Sequence, residues 1–338
     1  MKKIEFVDFA KGFSILAIVI MHYFTKLDLP SILRMALDFG GSGIHLFFMI
    51  SGFTLFVSSY ENFFQFYKKR FLSIIVPYYI AVLLYFFSSL ILPGQKTISF
   101  YELAGHFFLF KMFDSRIYFS VAFEFWFIST IIQFYILFPL LKRLYLRFGI
   151  YFVIFSFVLS LIYMLSLSYY PQMHNPVLQQ LFIRYLWEFV AGFYLMDIFK
   201  RKGMEFWRVK PIYLLLILFV SSAIIVAGKI YENSLLVGID DFFNCFAFVS
   251  FTILVYIFLS GMKSSFLFVS IGSYSFYLYL IHGITLSVTR KSLCSIVPFN
   301  IYTAFCLLIF TLVIAYWFKT IVSPLLNLKK NDAIFNIK

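Results

Sequence analysis

An all-α, polytopic membrane protein is the fold class this sequence predicts, and three observations carry the prediction: composition, ten long apolar runs, and a one-sided distribution of positive charge. Of 338 residues, 62% are hydrophobic and only 13% charged, with 50 Phe and 24 Tyr, which is too apolar for an ordinary soluble domain. Runs long enough to cross about 30 Å of hydrocarbon fall at approximately 7–27, 38–58, 72–92, 119–141, 149–168, 178–198, 211–228, 242–260, 266–287 and 300–321. About ten transmembrane helices leave both termini on one side. With both termini cytoplasmic, 19 of the 28 Lys and Arg fall in inner segments, eight in outer segments, and Arg184 within a span, as the positive-inside bias expects. The expected organisation is a single integral-membrane domain over 1–325 and a short cytoplasmic tail over 326–338.

The net charge of +13 does not point to nucleic acid, because the basic residues lie between apolar runs rather than on a folded polar surface. Cys245, Cys294 and Cys306 are an odd number without metal-ligand spacing, so neither a disulfide framework nor a metal site is expected. No small-residue cleavage site follows the first run, which reads as a retained span.

Taken in order, the first run is interrupted by Asp8, Lys11 and His22. At 100° per residue the steps from Lys11 to His22 close three turns to within about 20°, so both share a helix face, roughly 16 Å apart along the axis. Asp8 joins that face at i+3 to Lys11. Ionisable groups at membrane depth are tolerated mainly where they line a polar cavity, so the stripe is the leading site candidate, with His22 as general base or proton shuttle. A histidine simply hydrogen-bonded between helices is the plainer alternative.

In the second run, Gly40-Gly41-Ser42-Gly43 precedes Phe47-Phe48-Met49-Ile50-Ser51-Gly52-Phe53, small residues that suit close helix packing or a substrate's approach to the backbone. Lys68-Lys69-Arg70 opens the third run with Pro77 further in, which suits cytoplasmic anchoring or a phosphate-bearing ligand. The connection 93–118 contains Pro93-Gly94 and an apolar piece, 100–113, too short to span and therefore interfacial or re-entrant. Arg184 and Glu188, spaced i to i+4, read as an opposite-charge pair on one helical face. Near the end, Ser270 to His282 places Tyr274 and Leu278 on one face, with His282 near the outer end of its helix, an interfacial position.

Together these segments resemble the acyltransferase-3 family of bacterial integral-membrane acyltransferases. The resemblance covers nearly the whole chain. It rests on Asp8, Lys11-Gly12 and His22; on Phe47, Phe48, Ser51, Gly52 and Phe53; on the basic start of the third run through Pro77; on Trp126-Phe127-Ile128 with Phe134-Tyr135 and Pro139; on Arg184, Glu188, Phe189 and Gly192; and on Ser273-Tyr274-Ser275 with Tyr277-Leu278 before His282.

The resemblance implies an O-acyltransferase of the bacterial inner membrane that moves acetyl from acetyl-CoA, a co-substrate rather than a bound cofactor, to a sugar hydroxyl. The acceptor is expected to be a cell-surface polysaccharide or its lipid-linked precursor. His22, Asp8 and Glu188 are the expected catalytic residues. Lys11, Lys69 and Arg70 are the expected donor site, and Ser51, Arg184, Tyr274 and His282 the expected acceptor site. Two positions depart from the family pattern: Lys11 stands for an arginine and keeps charge without its planar fork, and Ser73 stands where the Arg-x-x-Arg motif has its second arginine. The alternative for a many-spanned chain with buried charges is a transporter or flippase of a glycolipid or anionic solute.

Overall fold

The computed structural model describes residues 4–58, 63–92, 96–170, 173–203, 209–231, 234–293 and 298–326. The tail beyond Leu326, Pro93-Gly94 and Cys294 lie outside them. Among the described residues the chain is helical, with no strand. In order the helices are α1 Glu5–Phe24, α2 Ser31–Asp38, α3 Gly43–Phe56, α4 Phe63–Ile91, α5 Phe100–Phe107, α6 Trp126–Phe148, α7 Ile150–Tyr169, α8 Pro176–Gln179, α9 Leu186–Lys202, α10 Pro211–Ile230, α11 Ser234–Gly238, α12 Asp240–Leu259, α13 Lys263–Gly272, α14 Ser275–Leu293 and α15 Ile301–Leu325. In a bilayer a helix satisfies its own backbone polar groups, so long apolar runs have little other choice. Gly149 and Gly203, directly after α6 and α9, and Gly261, two residues after α12, take positive φ, which glycine adopts without a Cβ penalty.

Each of the ten apolar runs lies on helix, but they are not ten equal spans. Among the described residues eight helices are long and apolar enough to cross a membrane, and Lys263–Gly272 with Ser275–Arg290, bent by 77°, make a ninth if taken as one. The run at 178–198 instead gives a 3-10 turn, Phe182–Tyr185, and then the 17-residue α9, which has Glu188 in its first turn and Lys200, Arg201 and Lys202 in its last.

Helix α1 is the hub. It packs on α3, α12, α13, α14 and α15. In its most apolar window 61% of the residues are buried, against 17% for α10 and 28% for α7 and α15, which sets α1 inside and those three outside. The α1 and α13 backbones touch at paired glycines: an added Cβ on Gly12 would fall 1.8 Å from Phe268 O, and one on Gly272 would fall 1.9 Å from Asp8 O. Such close approach is the use of small residues between membrane helices.

The connection after α4 is re-entrant. The capping box of Ser99 and Glu102 starts α5, which then runs back along α4. Phe100 packs near Phe86 (6.1 Å between ring centroids), the Tyr78 hydroxyl meets His106 Nδ1 at 2.6 Å, and the Tyr79 hydroxyl donates to Phe107 O. The chain returns with Lys111 Nζ donating to Tyr118 O at 3.1 Å and Phe125 O at 3.3 Å. Those bonds fix the 3-10 turn Phe123–Phe125 that leads into α6.

Candidate active site

Three cavities adjoin the segment 123–127. Phe123 and Glu124 line one, Trp126 a second and Phe127 a third. The third, toward the end of the bundle where α1 begins, has a volume of about 170 Å³. Lys11 and Arg70 line it together with Ser51, Ser73, Tyr135 and Ser273. The Arg70 guanidinium is buried and lies 5.7 Å from the Phe66 ring centroid, and Lys319 Nζ donates to Ser273 Oγ at 3.2 Å. Two cations, from α1 and α4, thus line the cavity, and a third, from α15, is bonded to its Ser273. Ser73, in place of an arginine, donates only to Arg70 O at 3.0 Å among its described hydrogen bonds.

The cavity of Phe123 and Glu124 measures about 610 Å³, and His22, Lys26, Gly283, Ser287 and Arg290 also line it. His22 Nδ1 lies 2.8 Å from His282 Nε2, with the two rings stacked at 5.0 Å. The tautomers follow from what surrounds them. His282 Nδ1 lies 2.7 Å from Tyr279 O and 3.3 Å from Leu278 O, and carbonyl oxygens only accept, so His282 donates through Nδ1. In neutral His282 the Nε2 then accepts, His22 donates through Nδ1, and His22 Nε2 keeps a lone pair. A second layer holds this pair: Tyr23 Oη donates to His282 O at 2.9 Å and sits 2.7 and 2.8 Å from the hydroxyls of Thr285 and Thr311.

Glu124 is fixed beside them. Its Oε1 accepts from Tyr85 Oη at 2.8 Å. An added Cβ on Gly283 would fall 1.7 Å from that oxygen, so only glycine admits the carboxylate. Tyr279 separates this cavity from the basic one. Its side chain lines the basic cavity, its ring lies 5.5 Å from Phe127 and 6.1 Å from His282, and its hydroxyl donates to Glu124 O.

The remaining cavity, about 560 Å³, is lined by His45, Trp126, Tyr185, Asp240, Asp241 and Asn244 among others. His45 Nδ1 is 2.8 Å from Glu188 Oε1, His45 Nε2 is 3.7 Å from Asp241 Oδ1, and Arg184 Nε donates to Asp241 Oδ2. Arg184 and Asp241 cancel in charge, and a single proton shared between His45 and Glu188 leaves the buried cluster neutral.

These placements revise several expectations. Arg184 and Glu188 are not a pair on one helical face: Arg184 lies in the 3-10 turn before α9, which turns it to Asp241, while Glu188 turns to His45. His282 is not interfacial but fully buried against His22. Lys11 and His22 line different cavities, so the polar seam along α1 is interrupted at Tyr279. Of the residues expected to bind acceptor, Ser51 lies in the basic cavity, Arg184 beside the acidic one, His282 behind His22, and Tyr274 is buried with its ring 6.0 Å from that of Tyr316. Asp8 is buried where α1 meets α13, and Lys69 is half-buried on α4, one residue before Arg70. Sequence reading passed over His45, Glu124, Asp241 and Tyr279. A lone histidine in an apolar run was the available signal for His45. Glu124 and Asp241 stand at helix starts, where acids are ordinary.

A family description, that of an acyltransferase domain, matches residues 4–320. No curated protein and no solved structure matches the chain. The match spans the site and nearly the whole sequence, so the chain belongs to the acyltransferase-3 family and is a multi-pass membrane acyltransferase.

Proposed function

We propose that this chain is an O-acetyltransferase of the bacterial inner membrane, moving acetyl from acetyl-CoA to a sugar hydroxyl of a surface polysaccharide or its lipid-linked precursor. The observation that carries the reading is His22: its Nδ1 is bonded to His282, so its Nε2 is left as a base in a cavity that adjoins, across one tyrosine ring, a pocket of convergent cations. Ligand sites for drug-sized molecules usually enclose several hundred Å³. The basic pocket, at about 170 Å³, suits the thin pantetheine arm of CoA, with the phosphates at the mouth near Arg70 and Lys319. The arm carries the thioester past Tyr279 to His22.

In the transfer, His22 Nε2 takes the proton of the acceptor hydroxyl as its oxygen attacks the thioester carbonyl. The C–S bond breaks, and the proton passes from His22 to the leaving CoA sulfur, so the imidazole returns to its starting state. His282 Nε2 accepts from His22 Nδ1 throughout and supports the transient imidazolium, and the Glu124 carboxylate at Gly283 adds a favourable field.

Purified protein supplied with acetyl-labelled CoA and host glycan tests this. Label is expected in the glycan with equimolar CoA released, and folded His22→Ala is expected to lose at least a hundredfold in rate. Parental transfer by that variant defeats the role of His22. Host glycan of unchanged mass after deletion of the gene, where loss of one acetyl group per repeat is expected, defeats the assignment of substrate.

A further inference from the structure

Resting on that reading of the His22 cavity, we infer that the acceptor carries an anionic group, a phosphate or a carboxylate, about 10 Å from the hydroxyl that is acetylated. Gly283, Ser287 and Arg290 form one stripe of α14 along the cavity wall, at i, i+4 and i+7. The reacting end is fixed at Gly283, where the Glu124 carboxylate and the His22–His282 pair lie. Seven residues on, roughly 10 Å at 1.5 Å per residue, Arg290 stands at the rim with its guanidinium 5.5 Å from the Phe299 ring centroid. Lys26, just past the end of α1, lines the same cavity. Glu124, the one carboxylate among the residues described as lining this cavity, is held at the inner end by Tyr85. The cavity is therefore polarised: base and carboxylate inside, two cations at the mouth. A neutral sugar ring suits the inner part, and a phosphate or carboxylate suits the Arg290 and Lys26 rim, where the guanidinium offers paired donors.

The test measures binding to the full chain in nanodiscs of three probes: a prenyl diphosphate-linked hexose, the octyl glycoside of the same hexose, and the octyl glycoside of the corresponding uronic acid. At least one anionic probe is expected to bind about tenfold tighter than the neutral glycoside, with the advantage shrinking as salt rises. In Lys26→Gln/Arg290→Gln that advantage is expected to vanish while the neutral glycoside binds as before, and Arg290→Lys is expected to retain part of it. Preference for the diphosphate alone assigns the charge to a lipid carrier, and preference for the uronide alone assigns it to the glycan. Equal binding of all three probes, no binding of any, or an anionic preference that survives the double substitution overturns the inference. Because these readouts need no acetyl-CoA, they are separate from the transfer assay that decides the parent reading.

Discussion

Replacing His282 tests the proposed catalytic pair more sharply than replacing His22, because His282 is buried behind His22 and, in the proposed mechanism, acts only through it. The perturbation is His282→Asn, with His282→Leu as an apolar comparison. Each removes the ring nitrogen that lies 2.8 Å from His22 Nδ1. A hydrogen bond to a group that becomes charged contributes about 1.5–3 kcal/mol, and every 1.36 kcal/mol is tenfold in rate, so each change is expected to lower kcat by about 10- to 150-fold. The assay is single-turnover acetyl transfer with enzyme in excess, which isolates chemistry from product release. The double variant His22→Ala/His282→Asn is expected to be no slower than His22→Ala alone, because a positioning residue has nothing left to position. Melting temperatures run alongside, since His282 O also accepts from Tyr23 Oη and a misfolded variant would imitate a slow one. Additive losses in the double variant, or parental rates in His282→Asn, refute the relay.

Arg70→Gln is expected to raise the KM for acetyl-CoA about tenfold or more with a much smaller effect on kcat, and Arg70→Lys to fall between, since Arg70 is, with Lys11, a buried cation of the basic pocket; steady-state kinetics with varied donor check this. Gly272→Val is expected to wreck the α1–α13 contact, because its Cβ would fall 1.9 Å from Asp8 O and overpacking costs about 1–3 kcal/mol or more; thermal melting in detergent should show a clear drop, and Gly272→Ala a smaller one. Arg184→Gln and Asp241→Asn each break the buried pair beneath His45. With 22% of the Arg184 side chain exposed, each is expected to cost about 2–3 kcal/mol, at or below the low end for fully buried pairs. The double variant is expected to cost less than the sum, which a double-mutant cycle on unfolding midpoints measures.

The membrane fold was legible because the property that dictates it, apolar length, is written locally in the chain. The unequal spans were less so. Residues 266–287 read as one run, yet the structure bends there, between Gly272 and Ser275, where α13 lies against the α1 backbone. Helical periodicity drew attention to Lys11 and His22, each of which lines a cavity, but cannot tell which neighbours divide a face. The ring that separates their cavities, Tyr279, comes from a helix more than 250 residues away and looks, in sequence, like one more tyrosine in an aromatic stretch. His282 was misjudged for a related reason: its place near the expected outer end of a span said nothing of the re-entrant segment and α15 that bury that end of the bundle.

The residues that sequence reading missed share a physical character. Glu124, Asp241 and His45 are each unremarkable locally and acquire a role only through a partner brought from elsewhere: Tyr85 and Gly283 for Glu124, Arg184 for Asp241, Glu188 for His45. The segment 123–127 shows why this matters for function. Five consecutive residues, anchored from below by Lys111 through Phe125 O and from the side by Tyr279 through Glu124 O, contribute walls to all three cavities. A shift of that 3-10 turn therefore moves the carboxylate beside His22, the aromatic wall near His45 and the Phe127 edge of the basic pocket together. The Tyr279 ring between the His22 cavity and the basic pocket is tied to the same five residues through Glu124 O and Phe127, so one short turn sets walls of both.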